Sequence, residues 1–308
     1  MKDSRLKEKV LTRVLILGAT GMLGHKLCQV LGPDFDVTGT IRGDYRDISK
    51  FDFFQPSKIV PQIDAMETDR LEQVIEETGP EVVINCIGVV KPLVESAGIL
   101  NTNWLNSLLP HQLYRICRSK NIRLIHISTD CVFSGKKGNY REKDRPDAED
   151  IYGRSKYLGE VKGVGVLTIR TSMVGMELGK KTGLLEWFLT NRGGRVQGYT
   201  NAIFSGFPTL HLARIIAGII TKHLDLHGIY HVSSEPISKF DVLTLINNAF
   251  GLNIEIEEFP DYRVNRSLDS TLFRKETGFT PLPWKKMVEE LAEDAAPYLK
   301  WRQNDFPG

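Results

Sequence analysis

The sequence predicts an α/β protein, a doubly wound parallel sheet followed by a smaller α/β lobe. Three features of the chain predict it. From Arg13 onward, short continuous apolar runs alternate with longer amphipathic stretches. A glycine-rich turn joins the first of these runs to the first amphipathic stretch. After about Thr171 that rhythm gives way to a denser scatter of Gly, Asn and Pro before helical patterns return.

Taken in order, RVLILG reads as a strand, GMLGHKLCQVL as a helix and FDVTGTI as the second strand. SKIVPQID is the third strand, ETDRLEQVIEETG its helix and EVVINCIG the fourth strand. A helix around NWLNSLLPHQLYRICRSK leads to the fifth strand, IRLIHIST, and a helix around IYGRSKYLGEVK precedes the sixth, GVLTIRTS. Strands that are apolar throughout are buried on both faces, the mark of a parallel sheet covered by helices. Right-handed crossovers then favour the doubly wound, Rossmann-type arrangement. The expected organisation is a solvated tail over 1–12, a dinucleotide-binding domain over 13–172, and a smaller lobe over 173–308 that exchanges segments with it. In that lobe TLHLARIIAGIITKHL, ISKFDVLTLINNAF and PWKKMVEELAEDAAPYL read as helices, and GIYHVS and NIEIEEF as strands.

Composition narrows the function. Basic and acidic residues number 40 and 38, for a net charge of +2 with no basic run, so nothing favours nucleic acid as a partner. A mildly positive surface suits a diphosphate. The longest apolar stretches are strand-sized, far short of the ~20 residues that span a bilayer, and MKDSRLKEKVLTR lacks the apolar core of a signal peptide. Cys28, Cys86, Cys117 and Cys131 form no CxxC pair and lie in or beside apolar segments. They read as buried free thiols, which points to the cytoplasm. No metal-ligand spacing is present.

The turn Gly18-Ala19-Thr20-Gly21-Met22-Leu23-Gly24 has the spacing of a dinucleotide fingerprint and stands where the fingerprint requires, between a strand and a helix. Gly18 makes the tight turn, Gly21 lets backbone approach a pyrophosphate, and Gly24 lets the helix pack on the strand. The second strand ends Thr40-Ile41-Arg42, without the acidic residue that grips the ribose 2′-hydroxyl of NAD. Arg42 suits a 2′-phosphate or is a solvated loop residue, which makes NADP(H) the preferred cofactor and NAD(H) an admissible one. Asp64, after the third strand, suits either the adenine edge or a cap.

The most specific local pattern is Tyr152-Gly153-Arg154-Ser155-Lys156, with Thr129 closing the fifth strand. Residues four apart share a helix face, so Tyr152 and Lys156 point into one cleft. A phenol has a pKa near ~10. A neighbouring ammonium is expected to lower it, bringing the tyrosine closer to acid–base work at neutral pH. The Thr129 hydroxyl can hold the same substrate oxygen.

GATGMLG, INCIG, HISTDCVFSG and YGRSKYLGE together resemble the extended short-chain dehydrogenase/reductases, and within them the dTDP-4-dehydrorhamnose reductase branch. The likeness is dense from Arg13 to about Ser172 and thinner beyond, where FPTLHLARII, IYHVSSEPIS and NRSLDSTLFRKETGF continue it. The resemblance implies Thr129, Tyr152 and Lys156 as a catalytic triad, with Lys156 also bonding the nicotinamide ribose. It implies Gly18, Thr20, Gly21, Met22 and Leu23 along the cofactor phosphates and Cys86, Ile87 and Gly88 along the adenosine. It also implies Asn103 as the residue that steadies the active-site helix, and a homodimer as the family habit. The family's dehydratases carry Thr-Asp-Glu at this strand end, whereas this chain reads Thr129-Asp130-Cys131. The second carboxylate that water elimination needs is missing.

On the substrate side, Asp130, Arg170 and Ser172 stand at strand ends. Trp187 suits stacking on a base or sugar, or burial in the core. Lys91, Arg195 and Arg266 suit the nucleotide diphosphate or surface ion pairs, and His231 suits a loop-holding hydrogen bond. The activity expected is NADPH-dependent reduction of the C4 keto group of a nucleotide-linked 4-keto-6-deoxy sugar, in deoxysugar biosynthesis for a polysaccharide. The alternatives are a nucleotide-sugar epimerase, or a non-catalytic NADP-binding regulatory subunit resembling the methionine adenosyltransferase beta subunit.

Overall fold

The computed structural model describes residues 11–179 and 182–304, and the first ten residues of the expected tail lie outside them. Six strands build the sheet in the first half: β1 (Arg13–Leu17), β2 (Asp36–Thr40), β3 (Ile59–Val60), β4 (Val82–Asn85), β5 (Arg123–Thr129) and β6 (Val166–Thr171). The helices between them are α1 (Met22–Leu31), α2 (Thr68–Thr78), the short α3 (Val94–Ala97) and α4 (Ile99–Asn103), α5 (Leu109–Ser119) and α6 (Ile151–Leu158). The second half adds β7 (Met173–Val174), α7 (Leu184–Thr190), β8 (Arg195–Tyr199), β9 (Ala202–Phe204), β10 (Phe207–Pro208) and α8 (Thr209–Lys222). β11 (Gly228–His231), β12 (Ile237–Ser238), α9 (Lys239–Phe250), β13 (Glu255–Phe259), β14 (Val264–Asn265), α10 (Thr271–Thr277) and α11 (Trp284–Asn304) complete it.

The central sheet runs β11-β6-β5-β4-β1-β2-β3, parallel throughout. Its last strand, β11, returns from the C-terminal half to pair with β6. Alternation within each strand sorts the two layers. Val14, Ile16, Ile84 and Ile127 face a core shared with α1, α8 and α11, while Leu15, Leu17, Val83 and Leu124 face α2 and α5. β3 is shorter than its apolar run suggests, because Pro61 brings no N–H to the ladder and Gln62 turns away at φ 58°. The remaining short strands pair among themselves, β8 with β13 and β9 with β12 and β14.

Strand order reverses between β1 and β4, which opens a crevice at their C-terminal ends. The turn after β1 and the turn after β4 meet there. A Cβ on Gly18, which sits at φ +82°, would fall 3.0 Å from Ile87 Cγ1. Gly24 has no room for a side chain either, since its Cβ would lie 2.1 Å from the Gly18 carbonyl oxygen.

α6 is seated equally closely. A Cβ on Gly153 would stand 2.2 Å from the Cys131 carbonyl oxygen, and one on Gly159 would stand 1.9 Å from the Asn106 carbonyl oxygen. The helix is thus pressed between the end of β5 and the segment Trp104–Leu108, which is wound as a π-helix. No helix among the described residues is long and apolar enough to cross a membrane. Gly159→Ala is expected to lower stability by about 1–3 kcal/mol through overpacking. Urea unfolding checks this, and an unchanged midpoint would mean that α6 has room to move.

Candidate active site

β5 ends in Thr129, whose hydroxyl accepts from Cys131 N–H at 3.1 Å and lies 3.2 Å from Asp130 Oδ1. From the facing helix, Tyr152 brings its phenol close enough to Thr129 for that side chain to act on its ionisation. One turn on, Lys156 is buried and donates to the Ile127 carbonyl at 2.7 Å. Asp150 caps α6 by accepting from Gly153 N–H at 2.8 Å, and its other oxygen pairs with Lys91 at 2.8 Å.

Burial decides the ionisation of both key groups. It raises the Tyr152 phenol well above its ordinary range, and Cys131, Asp130 and Asp150 push the same way while Thr129 pulls against them. This corrects the expectation that Lys156 lowers the phenol, since its ammonium is directed at the Ile127 carbonyl instead. Burial also brings Lys156 down to about 8, opposed by the charges of Glu160 and Cys86. A phenol held neutral beside a strand-end hydroxyl is a proton donor at neutral pH.

The phosphate turn is built from backbone. Gly21 caps α1 without a side-chain bond, and no acidic residue stands in the first turn, so the helix start is open to an anion. Thr20 and Gly21 are exposed, Met22 is half-buried, and the Leu23 side chain belongs to the core, leaving only its N–H to face a phosphate. Cys86 and Ile87 are half-buried and Gly88 exposed on the opposite wall. Among the described residues Arg42, exposed past the end of β2, makes no hydrogen bond or ion pair. Asp64 accepts from Met66 N–H at 2.9 Å and so caps the turn before α2 with one of its oxygens. These features fit a dinucleotide.

Asn103 and Arg170 are placed otherwise than the sequence suggests, while His231 takes the loop-holding role and Lys91 and Arg195 the ion pairs that it allows. Asn103 is exposed, and Asn106 steadies the active-site helix. Buried, it accepts from Val89 N–H at 2.8 Å and donates to the Val89 carbonyl at 3.0 Å and to Ser155 Oγ at 3.1 Å. The π-wound turn that carries it cannot be seen in a helical pattern. Arg170 does not reach the cleft, because its guanidinium is buried against Glu160 at 2.7 Å and His231 at 3.2 Å. His231 also bonds the Tyr140 carbonyl at 3.0 Å. Arg195 is occupied by Glu255 and Glu257 across the β8–β13 ladder, and Lys91 by Asp150. Trp187 is 42% exposed on α7, so it is not a core residue. Ser172 is half-buried, with its carbonyl accepting from Phe207 N–H at 2.9 Å.

Arg266 holds the Phe133 and Ser134 carbonyls at 2.9 and 3.3 Å, and its charge is felt at Asp130. Lys239, absent from the sequence reading, lies 3.8 Å over the Phe204 ring, also within electrostatic reach of Asp130. Among the described residues its ammonium makes no hydrogen bond or ion pair. A lysine at the first position of a helix opposes the helix dipole, and that was the available signal. The four cysteines are free, and no group of described residues is arranged to hold a metal ion. A cavity of about 520 Å³ opens beside Arg13, Asp36 and Lys58; Cys28 lines it, and Thr129, Tyr152 and Lys156 do not.

A parallel sheet of this order, with a glycine turn at its switch point, defines a Rossmann-like α/β protein. Over residues 12–296 the chain matches the family described as RmlD substrate binding domain, and it belongs to that family. It is 26% identical over 307 residues to a dTDP-4-dehydrorhamnose reductase of Aggregatibacter actinomycetemcomitans, covering 91% of this chain and 98% of that one. It is 27% identical over 254 residues to methionine adenosyltransferase 2 subunit beta of Danio rerio, covering 78% and 74%. Its fold is shared with a crystallised dTDP-4-dehydrorhamnose reductase of Bacillus anthracis in complex with NADP, at a TM-score of 0.75 and 22% identity over 92% of this chain and 99% of that one.

Asn106→Ala leaves the buried Val89 N–H and carbonyl without partners and is expected to cost about 1–3 kcal/mol. Asn103→Ala, on the surface, is expected to stay within about 0.5 kcal/mol of the parent. Thermal melts of the two variants distinguish the residues, and equal melting points would remove Asn106 from this role.

Proposed function

We propose that the protein reduces the C4 keto group of a nucleotide-linked 4-keto-6-deoxy sugar, with NADPH as reductant. The observation that carries this reading is the placement of Tyr152 beside Thr129 at the strand end, one helical turn from the buried Lys156. The likeness to a dTDP-4-dehydrorhamnose reductase supports the substrate class.

When bound, the reduced nicotinamide supplies the hydride. Gly18, Thr20, Gly21 and the amides of Met22 and Leu23 would receive the diphosphate, with Cys86, Ile87 and Gly88 along the adenosine and Asp64 near the adenine edge. Arg42, without a hydrogen-bond or ion-pair partner among the described residues, would meet a 2′-phosphate, which is the ground for preferring NADP(H) to NAD(H). Thr129 holds the keto oxygen in line, and Tyr152 hands it a proton as negative charge develops there. The raised phenol pKa favours this direction, since the acid is fully protonated when needed. Lys156 steadies the nicotinamide ribose. Arg266 and Lys239 face the strand end from the second lobe and would hold the substrate diphosphate, with Asp130, Ser172 and Trp187 near the sugar and base.

A second reading, a non-catalytic regulatory subunit, is favoured by the likeness to methionine adenosyltransferase 2 subunit beta. NADPH oxidation at 340 nm with a panel of nucleotide-linked 4-keto-6-deoxy sugars separates the two. Turnover with one panel member, reduced roughly 10²–10⁴-fold by Tyr152→Phe, is the expected result. Tight NADPH binding without turnover would move the assignment to the regulatory subunit.

Lys156 is charged below about pH 8 and neutral above it in the free protein. kcat/KM should therefore fall on the alkaline side with a midpoint near that value. A profile flat to the high pH at which an ordinary lysine titrates would detach Lys156 from turnover.

A further inference from the structure

The helix that starts at the phosphate turn is gripped from behind by the last helix of the fold. His25, fully buried one turn into α1, places Nδ1 2.7 Å from the Gly21 carbonyl oxygen and Nε2 2.7 Å from Tyr298 Oη on α11. A carbonyl can only accept, so Nδ1 carries the proton, Nε2 presents its lone pair, and Tyr298 donates to it. Gln29 Oε1, 3.3 Å from the same hydroxyl, already accepts from Lys26. Burial pushes the imidazole down to about 3, so the ring stays neutral and keeps this tautomer.

The Gly21 carbonyl thus accepts twice from one residue, from the His25 backbone N–H at 3.1 Å and from its ring. The Gly21–Met22 peptide is planar and trans, so its N–H points opposite to its carbonyl. Drawing the carbonyl toward His25 aims the Met22 N–H out of the helix start. The grip extends to both sides of the turn. Lys26 pairs with Asp294 at 2.7 Å, and Arg302 holds Glu186 at 2.6 Å and the Glu177 carbonyl at 2.9 Å. The Glu177 carboxylate in turn accepts from Gly183 N–H at 3.1 Å, and a Cβ on Gly183 would fall 2.7 Å from Met22 Cε.

We propose that Tyr298, acting through His25, is a positioning residue for the cofactor diphosphate: it sets the direction of the Gly21–Met22 peptide that would meet a phosphate. This rests on the dinucleotide reading of the glycine turn. Tyr298→Phe keeps the ring and its packing and removes only the donor. The loss of one hydrogen bond behind the loop should weaken NADPH binding about three- to tenfold. Binding of adenosine 2′-phosphate, which lacks the pyrophosphate, should be unchanged, as should kcat at saturating NADPH.

Fluorescence titration of the full chain and the variant reads the NADPH affinity, and competition against NADPH reads that of the fragment. Equal losses for both ligands, or an unchanged NADPH affinity, overturn the proposal. If the variant does not fold, nitrogen chemical shifts of ¹⁵N-histidine-labelled parent protein decide instead. A His25 ring protonated at Nδ1 alone supports the proposal, and one protonated at Nε2 overturns it. A parent protein that binds neither NADPH nor NADH would fail the dinucleotide reading itself, a result distinct from either of these.

Discussion

The seat of α6 is the constraint on which the site depends. In the proposed reaction Tyr152 and Lys156 act only if their helix is fixed against the end of β5 to within a fraction of an ångström. Two glycines achieve this by removing side chains where backbone meets backbone, Gly153 against Cys131 and Gly159 against Asn106. The amide of Asn106 then ties the same helix, through Ser155, to the Val89 backbone that follows β4. Three chain segments distant in sequence are locked by contacts that leave no slack, so the phenol, the strand-end hydroxyl and the ammonium keep their spacing.

The second theme is selective burial of charge. The Arg170–Glu160 pair lies beneath the site with both side chains 2% exposed, and Ser128 and His231 satisfy further polar atoms around it. A buried pair of this kind is kept only when its hydrogen bonds are complete. The Glu160 carboxylate also opposes the loss of charge at Lys156, so the network beneath the site reaches the ammonium above it. Desolvation moves Tyr152 and Lys156 in opposite directions, and in both cases it favours the neutral form.

Much of the framework was legible because hydrophobic period and glycine spacing are local signals. β1, β2, β4, β5 and β6 fall within their apolar runs, and the Tyr152–Lys156 helix starts where its pattern does. What the chain concealed came from non-local contacts. Asn103 and Asn106 occupy one helical stretch, and only the π-wound turn decides which of them faces inward. Arg170 ends a strand as expected, yet its guanidinium is consumed by a carboxylate ten residues upstream. In the C-terminal half β11 and β13 fall within GIYHVS and NIEIEEF, whereas β7, β9, β10, β12 and β14, of two or three residues each, are too short to declare themselves and exist through pairing with each other. Lys239 matters through its place over Phe204, and no spacing in the chain encodes that.

The closure of the sheet by β11 and of α1 by α11 has a consequence for biogenesis. His25 and Tyr298, which share a hydrogen bond, are 273 residues apart along the chain. A chain emerging from the ribosome can assemble strands β1 through β6 early, but its β6 edge stays open until Gly228–His231 is made, and α1 lacks its contacts with α11 until Trp284–Asn304 follows. Such long-range closure slows folding, because the entropy of joining distant segments is lost before their contacts form. A nascent or truncated form of this protein is therefore a natural client for chaperones, and its exposed sheet edge is the point from which it would aggregate.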